Sequence, residues 1–273
     1  MTTTPPAAGP AHDDEPHAHD GGLLVDLPRL MDRRRALMVL GGAGLVALAG
    51  CAATTGSSAP AAAAGDVVEI PQETAGPYPA DGSNGKNVLT ASGIVRSDIR
   101  SSFGSSTTTA EGVPLTIQLT VVQAAGDTPL EGAAVYLWHC DRDGNYSMYS
   151  QGVTGENYLR GVQATDANGL VTFTSIFPAC YSGRWPHIHF EVYTSLDEAT
   201  AAGQILSTSQ LALPEDVCAT VYATEGYSAS VRNLSQVSLD RDNVFGDDGG
   251  VSQLATMSGD AAGGYTAALT VGI

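Results

Sequence analysis

The residues of this chain best suited to chemistry are two histidines one position apart, His187-Ile188-His189, at the start of the β-prone run His187 to Tyr193 (HIHFEVY). Residues i and i+2 of a strand project from one face, about 7 Å apart along the chain, so two imidazoles placed this way can converge on one metal ion. Standing alone, such a pair reads equally well as a metal site or as surface or core histidines. Its surroundings add to it, because Pro178-Ala179-Cys180-Tyr181-Ser182-Gly183-Arg184-Trp185-Pro186 leads directly into the pair. Upstream, the stretch Tyr136 to Ser147 (YLWHCDRDGNYS) ends an apolar run in a polar turn that presents Tyr146. Asp141, Asp143 and Asn145 in that turn occupy the alternating positions of an EF-hand loop. Tyr146 stands where such a loop needs glycine, and Gly152 where it needs a bidentate glutamate, so calcium is not expected. There is no Gly-rich phosphate loop and no Gly-x-Ser-x-Gly nucleophile elbow.

Strands must position these groups. The chain has 273 residues, 43% apolar and 15% charged, which is enough for one large domain with an appendage. Abundant Gly, Ser, Thr, Val and Ala, with Lys86 as the only lysine, argue against a helical bundle. Four β-prone runs are clear: Leu115 to Val122, Ala133 to His139, Leu170 to Ile176 and His187 to Tyr193. Turn signals such as Gly126-Asp127, Asp143-Gly144 and Asn168-Gly169 separate them. The expectation is an all-β fold over residues 67–273, an antiparallel β-sandwich with long loops and very little helix, Leu196 to Gly203 being the only helix-like stretch. On this reading Tyr136 and Trp138 are core residues, His139 is a hydrogen-bonded structural histidine, and Arg160 braces the site or the loop carrying Tyr146.

The first 51 residues read as an address. Arg33, Arg34 and Arg35 precede the apolar stretch Ala36 to Ala49, too short and Gly-broken for a spanning helix, which fits an export signal of twin-arginine type. Leu48-Ala49-Gly50-Cys51 resembles the bacterial lipobox, with Cys51 as the lipidated first residue of the mature chain and residues 52–66 as a flexible Ala/Ser/Pro tether. This predicts an exported lipoprotein anchored to the cell membrane on its extracytoplasmic side. His12, His17 and His19 belong to the disposable leader, and Met31 is an alternative start. The leader holds 4 of the 12 basic and 6 of the 29 acidic residues, so a net charge of −15 out of −17 stays with the mature part. Such a balance disfavours nucleic acid as a partner. An oxidising compartment allows disulfides, and Cys180 with Cys218 is the expected pair, leaving Cys140 as a buried thiol.

The ordered combination of Val135 to Ser147, Tyr158 to Asp166 and Phe173 to His189 resembles the catalytic core of the intradiol ring-cleavage dioxygenases, the family of protocatechuate 3,4-dioxygenase and catechol 1,2-dioxygenase. Glu73-Thr74-Ala75-Gly76-Pro77-Tyr78 is similar to the segment that leads into that core, and the absence of room for a helical dimerisation segment points to a smaller exported branch. The resemblance implies a mononuclear non-haem Fe(III) held by Tyr146, Tyr181, His187 and His189. Two phenolates offset the charge of a trivalent ion and keep it ferric. It further implies that a catechol-type substrate binds the iron as a dianion, that Tyr181 takes up one of its protons, and that O2 then attacks to give a cis,cis-muconate-type diacid.

Arg184 matches the family arginine that stabilises negative charge on the ring, and Gln210, in Ser209-Gln210-Leu211, resembles the glutamine near the pocket. Tyr78 and Trp185 are candidates for the substrate mouth, against the ordinary reading of aromatics as core. The alternative function is a non-catalytic carbohydrate- or polyphenol-binding β-sandwich lipoprotein. A cupin-like copper or manganese site is a third reading, and it lacks the further histidine it needs, since none follows His189.

Overall fold

The computed structural model describes residues 67–273, so the expected export signal, the lipidated Cys51 and the tether of residues 52–66 lie outside the described residues. Alternation of apolar and polar residues drives the first sheet. In β1 (Pro114–Gln123), Leu115, Ile117, Leu119 and Val121 point inward while Thr116, Gln118 and Thr120 between them stay half-buried. The partner β5 (Leu170–Ile176) contributes Val171 and Phe173 to the same side. β1 pairs antiparallel with β5 and with the two-residue β2 (Thr128–Pro129) on one edge. On its other edge it pairs parallel with β9 (Gly264–Gly272), which forms an antiparallel hairpin with β8 (Thr256–Asp260). The β1–β9 pair is the one parallel ladder among the named strands.

The second sheet is antiparallel throughout, in the order β4 (Arg160–Ala164), β3 (Ala134–Trp138), β6 (His187–Tyr193), β7 (Ile205–Ala212). β3 and β6 are buried on both faces. One face, with Val135, Leu137, Ile188, Phe190 and Val192, packs on the first sheet and forms the main core. The other, with Tyr136, Trp138 and Tyr193, is covered by loops that supply Ala80, Val88, Leu89, Ile94 and Tyr146. The molecule is therefore a sandwich with a third layer of loop, and the residues of interest lie between the second sheet and that layer.

Helix is sparse, as expected, but Leu196 to Gly203 does not hold all of it. Besides α1 (Leu196–Thr200), capped by Ser195 Oγ accepting from the Glu198 N–H at 3.2 Å, there are α2 (Glu215–Tyr222) and α3 (Ser228–Leu234). α2 starts after Pro214 and buries Cys218, Val221 and Tyr222, an i, i+3, i+4 stripe too short to stand out among β-branched neighbours. The expected Cys180–Cys218 disulfide is not formed: Cys140, Cys180 and Cys218 are all free and buried. The Cys180 and Cys218 thiols face different backbone carbonyls, Arg184 O at 3.5 Å and Leu213 O at 3.9 Å, and both pack as small apolar groups in the main core.

His139, just past β3, is a structural histidine. Its Nδ1 meets Cys140 O and its Nε2 meets Ser175 Oγ, both at 2.7 Å. A carbonyl can only accept, so Nδ1 carries the proton and Nε2 accepts from the serine hydroxyl. Burial lowers its pKa to about 4, from 6.5. Because the folded pKa is depressed, the stabilisation is present above pH 6.5 and is lost as pH falls towards 4, where the unfolded chain takes up a proton and the folded one does not. Replacing this one group, His139→Asn, is expected to flatten the stability profile of the iron-free protein between these limits by at most about 1.4 kcal/mol per pH unit, measured by urea unfolding across the range. An unchanged slope would refute the assignment.

Candidate metal centre

The centre is built on the covered face of β6, where the alternation that sends Ile188 and Phe190 into the main core sends His187 and His189 the other way. Both histidines are buried, and their Nε2 atoms are 3.1 Å apart. Tyr146 Oη lies 3.4 Å from His187 Nε2 and 3.3 Å from His189 Nε2, and Tyr181 Oη lies 3.2 Å from His187 Nε2. Four ring donors from three separate stretches of chain thus gather at one point. Tyr146 is buried to 2% exposure, whereas Tyr181 is half-buried.

Local structure explains each placement. Asp141 Oδ1 accepts from the Asp143 and Asn145 N–H groups at 3.0 and 2.9 Å, and its Oδ2 accepts from Tyr158 Oη at 2.9 Å. The aspartate spacing that looks like a calcium loop is therefore a turn brace that aims Tyr146. Arg160, 1% exposed, clamps the same loop: Nε donates to Ser147 Oγ, Nη2 to Ser147 O, and Nη1 to Pro79 O and Tyr136 Oη, all at 3.0 Å. The Tyr181 loop is held by α3, with Ser230 Oγ accepting from Cys180 N and Asn233 Nδ2 donating to Cys180 O. The two loops touch at Gly144, which has φ +88° and where a Cβ would stand 3.2 Å from Tyr181 Cβ. Trp138, opposite His189 in the β3–β6 register, stacks on that imidazole at 4.9 Å and 3°.

His187 donates its Nδ1–H to Trp185 O at 2.6 Å, which leaves a lone pair on Nε2 aimed at the centre. His189 Nδ1 is buried with no hydrogen-bond partner. Burial, then the charge of Arg184, lowers the His187 pKa to about 3, and burial followed by His187 holds His189 well below its ordinary value. Burial, then Tyr181, pushes the Tyr146 phenol well above 10. Left to themselves, then, both imidazoles and the Tyr146 phenol are neutral, and the single lone pair of His187 Nε2 meets Tyr146 Oη, Tyr181 Oη and His189 Nε2 at once, more neighbours than it can accept from. A cation fits this set: donors each about 2.0–2.2 Å from one ion sit roughly 3–3.5 Å from one another, the spacing observed, and its charge is what would ionise the phenols. Among the described residues no group of three or more His, Cys, Asp or Glu gathers, so a metal here depends on the tyrosines.

Around the four groups, Arg184 is buried, its Nη2 donating to Gln210 Oε1 at 2.7 Å. Gln210 pairs with His189 across the β6–β7 ladder and donates its Nε2–H to Thr74 O at 2.8 Å. The Tyr78 ring is 5.0 Å from that of Tyr146 and 5.1 Å from that of Tyr149, forming an aromatic wall, and Gly76 places its backbone over His189. The Trp185 indole packs instead with Ala212, Val244 and Phe245 and donates to Leu213 O at 2.9 Å, so what it offers the centre is its backbone.

Two residues escape sequence reading. Glu191 continues the His-x-His alternation and is fully buried against Tyr193 Oη at 2.7 Å, a position the period-two pattern marks. Asp242, which pairs with Arg184, has no local signal. Replacing the clamp, Arg160→Met, is expected to lower stability by about 2 kcal/mol in urea unfolding, because it strands Ser147 O away from water, whereas Pro79 O keeps the Tyr136 hydroxyl as a donor. A loss under about 1 kcal/mol would mean the Tyr146 loop stands without it.

A family model described as Dioxygenase matches residues 97–221, a range that holds Tyr146, Tyr181, Arg184, His187, His189 and Gln210. A chlorocatechol 1,2-dioxygenase from Rhodococcus opacus is 37% identical over 60 residues, covering 22% of this chain and 23% of that protein. The match thus spans about a quarter of that curated relative's length. The solved structure of an intradiol ring-cleavage dioxygenase from Tetranychus urticae aligns with a TM-score of 0.58 at 25% identity, covering 76% of this chain and 94% of that one.

Proposed function

From the membership of this chain in the intradiol ring-cleavage dioxygenases, we propose that it inserts both atoms of O2 into a catechol-type ring, between the two hydroxyls, to give a cis,cis-muconate-type diacid. The observation that carries the reading is the convergence of Tyr146, Tyr181 and His189 on His187, each with a polar atom 3.1–3.4 Å from its Nε2, with Tyr146 Oη also 3.3 Å from His189 Nε2. These four residues would hold a mononuclear non-haem Fe(III). When bound, such an ion supplies a Lewis-acidic template that ionises a catechol and gives its ring carbanion character towards O2.

The chain's own residues do the rest. Tyr181, the more exposed of the two phenols, is the one whose Oη takes up a substrate proton, while the enclosed Tyr146 stays in place. Arg184 presents a buried guanidinium to the negative charge that develops on the ring, an arrangement effective because it is set before the reaction and screened from water. Gln210 fixes one guanidinium nitrogen, and the Tyr78 wall orients the ring. The non-catalytic binding-module reading is not favoured, because it leaves the four converging donors without a role.

The purified, iron-loaded protein is expected to be wine-red from phenolate-to-Fe(III) charge transfer and to consume O2 with a panel of catechols. Tyr181→Phe should lose both colour intensity and turnover. Arg184→Gln should keep the colour and lower kcat about 100-fold. A colourless protein, or a Tyr181→Phe variant with full colour and turnover, would sink the proposal.

We also propose that the enzyme acts outside the cytoplasm, tethered through a lipid on Cys51. Cys51→Ser is then expected to move it from the membrane fraction to the soluble one and to abolish metabolic labelling with palmitate, and a labelled Cys51→Ser protein would rule this out.

A further inference from the structure

We propose that Asp242 is a positioning residue for the reaction: its carboxylate fixes the Arg184 guanidinium and, through the Trp185 backbone, the His187 ring. The proposal rests on the role given to Arg184 above. Asp242 follows a single 3-10 turn (Leu239–Arg241), beyond residues 97–221 that match the dioxygenase family model. Its Oδ2 accepts from Arg184 Nε at 3.0 Å and from Trp185 N at 2.7 Å. Its Oδ1 accepts from Arg184 Nη2 at 3.3 Å and from the backbone N–H groups of Val244 and Phe245 at 2.9 and 3.3 Å. The last two are a local turn that aims the carboxylate before it meets the arginine.

Three features separate this pair from an ordinary ion pair. The Asp242 and Arg184 side chains are 0% and 4% exposed, whereas the Arg100–Asp98 and Arg142–Glu111 pairs stand largely in solvent, where such contacts contribute little. Asp242 and Gln210 together engage Nε and Nη2 of Arg184, so two partners fix the plane of the guanidinium and neither engages Nη1. Trp185, whose N–H Asp242 holds, uses its carbonyl to hold the His187 Nδ1–H at 2.6 Å, so one carboxylate steadies two parts of the centre. Without it Arg184 is a buried cation with no counter-charge, free to turn away from the developing charge.

The test compares full-length wild type, Asp242→Asn, Arg184→Gln and the double variant. Asp242→Asn is expected to lower kcat about 10- to 100-fold, with KM changed by less than about threefold and the charge-transfer colour retained. The double variant should lose far less than the product of the two single losses, because Asp242 acts mainly through the arginine. In the iron-free protein, nitrogen-15 NMR should show the Arg184 Nε–H exchanging slowly with solvent, and about tenfold faster or more in Asp242→Asn. Unchanged kcat in Asp242→Asn while Arg184→Gln is impaired, multiplicative losses in the double variant, or an Arg184 Nε–H that exchanges freely in wild type would each overturn the proposal. Should Asp242→Asn fail to fold, the wild-type exchange rate and kcat of Asp242→Glu, which keeps the charge but shifts it by a methylene, decide the matter. A wild type that turns over no catechol would defeat the activity reading by itself, and the exchange measurement would still decide whether Asp242 holds Arg184.

Discussion

Four ring donors forced together in a dry place are the constraint on which the rest of this structure depends. Tyr146, His187 and His189 are almost wholly enclosed, and burial holds the phenol of Tyr146 and both imidazoles in their neutral forms. Lone pairs at 3.1–3.4 Å repel unless a proton or a cation stands between them. Holding them there requires a scaffold stiffer than loops usually are, and the surrounding hydrogen bonds supply it. Asp141 and Arg160 fix the Tyr146 loop, Ser230 and Asn233 fix the Tyr181 loop, and the Trp185 carbonyl sets the orientation of His187.

The charges around the centre follow from the same burial. An acidic chain with a single lysine nevertheless encloses two guanidiniums among the described residues, and it treats them differently. Arg160 is satisfied by carbonyl and hydroxyl oxygens alone and works as a clamp. Arg184 is matched by a carboxylate: burial raises the pKa of Asp242, but the charge and hydrogen bonds of Arg184 and the Trp185 N–H outweigh it and hold the group ionised. A guanidinium kept neutral overall by its partner can sit beside a metal centre without repelling the cation that the four donors are suited to hold.

The double burial of β3 and β6 explains how a sandwich can carry such a site at all. In a two-layer sandwich the outer face of each sheet meets water, and polar residues there are unremarkable. Here a third layer of loop covers the outer face of the second sheet, so His187, His189, Glu191 and Trp138 become interior residues with interior energetics. The free thiols belong to the same picture, since Cys180 and Cys218 sit among apolar neighbours and face carbonyls rather than each other.

By itself the amino-acid sequence determined the strand content, the runs at Leu170 to Ile176 and His187 to Tyr193 to the residue, and the motif-bearing positions, because alternation and turn chemistry are local and leave a local imprint. It also marked Tyr146 and Tyr181 through the turns that present them. Only the tertiary structure decided that these rings meet the two histidines, that β1 and β9 run parallel, that α2 and α3 form, and that the two cysteines remain apart. Asp242 shows the reason most plainly. Its partner lies 58 positions away, and although a local turn through Val244 and Phe245 aims the carboxylate, nothing near residue 242 records the charge it will meet, because the energy of that contact exists only once distant segments have packed.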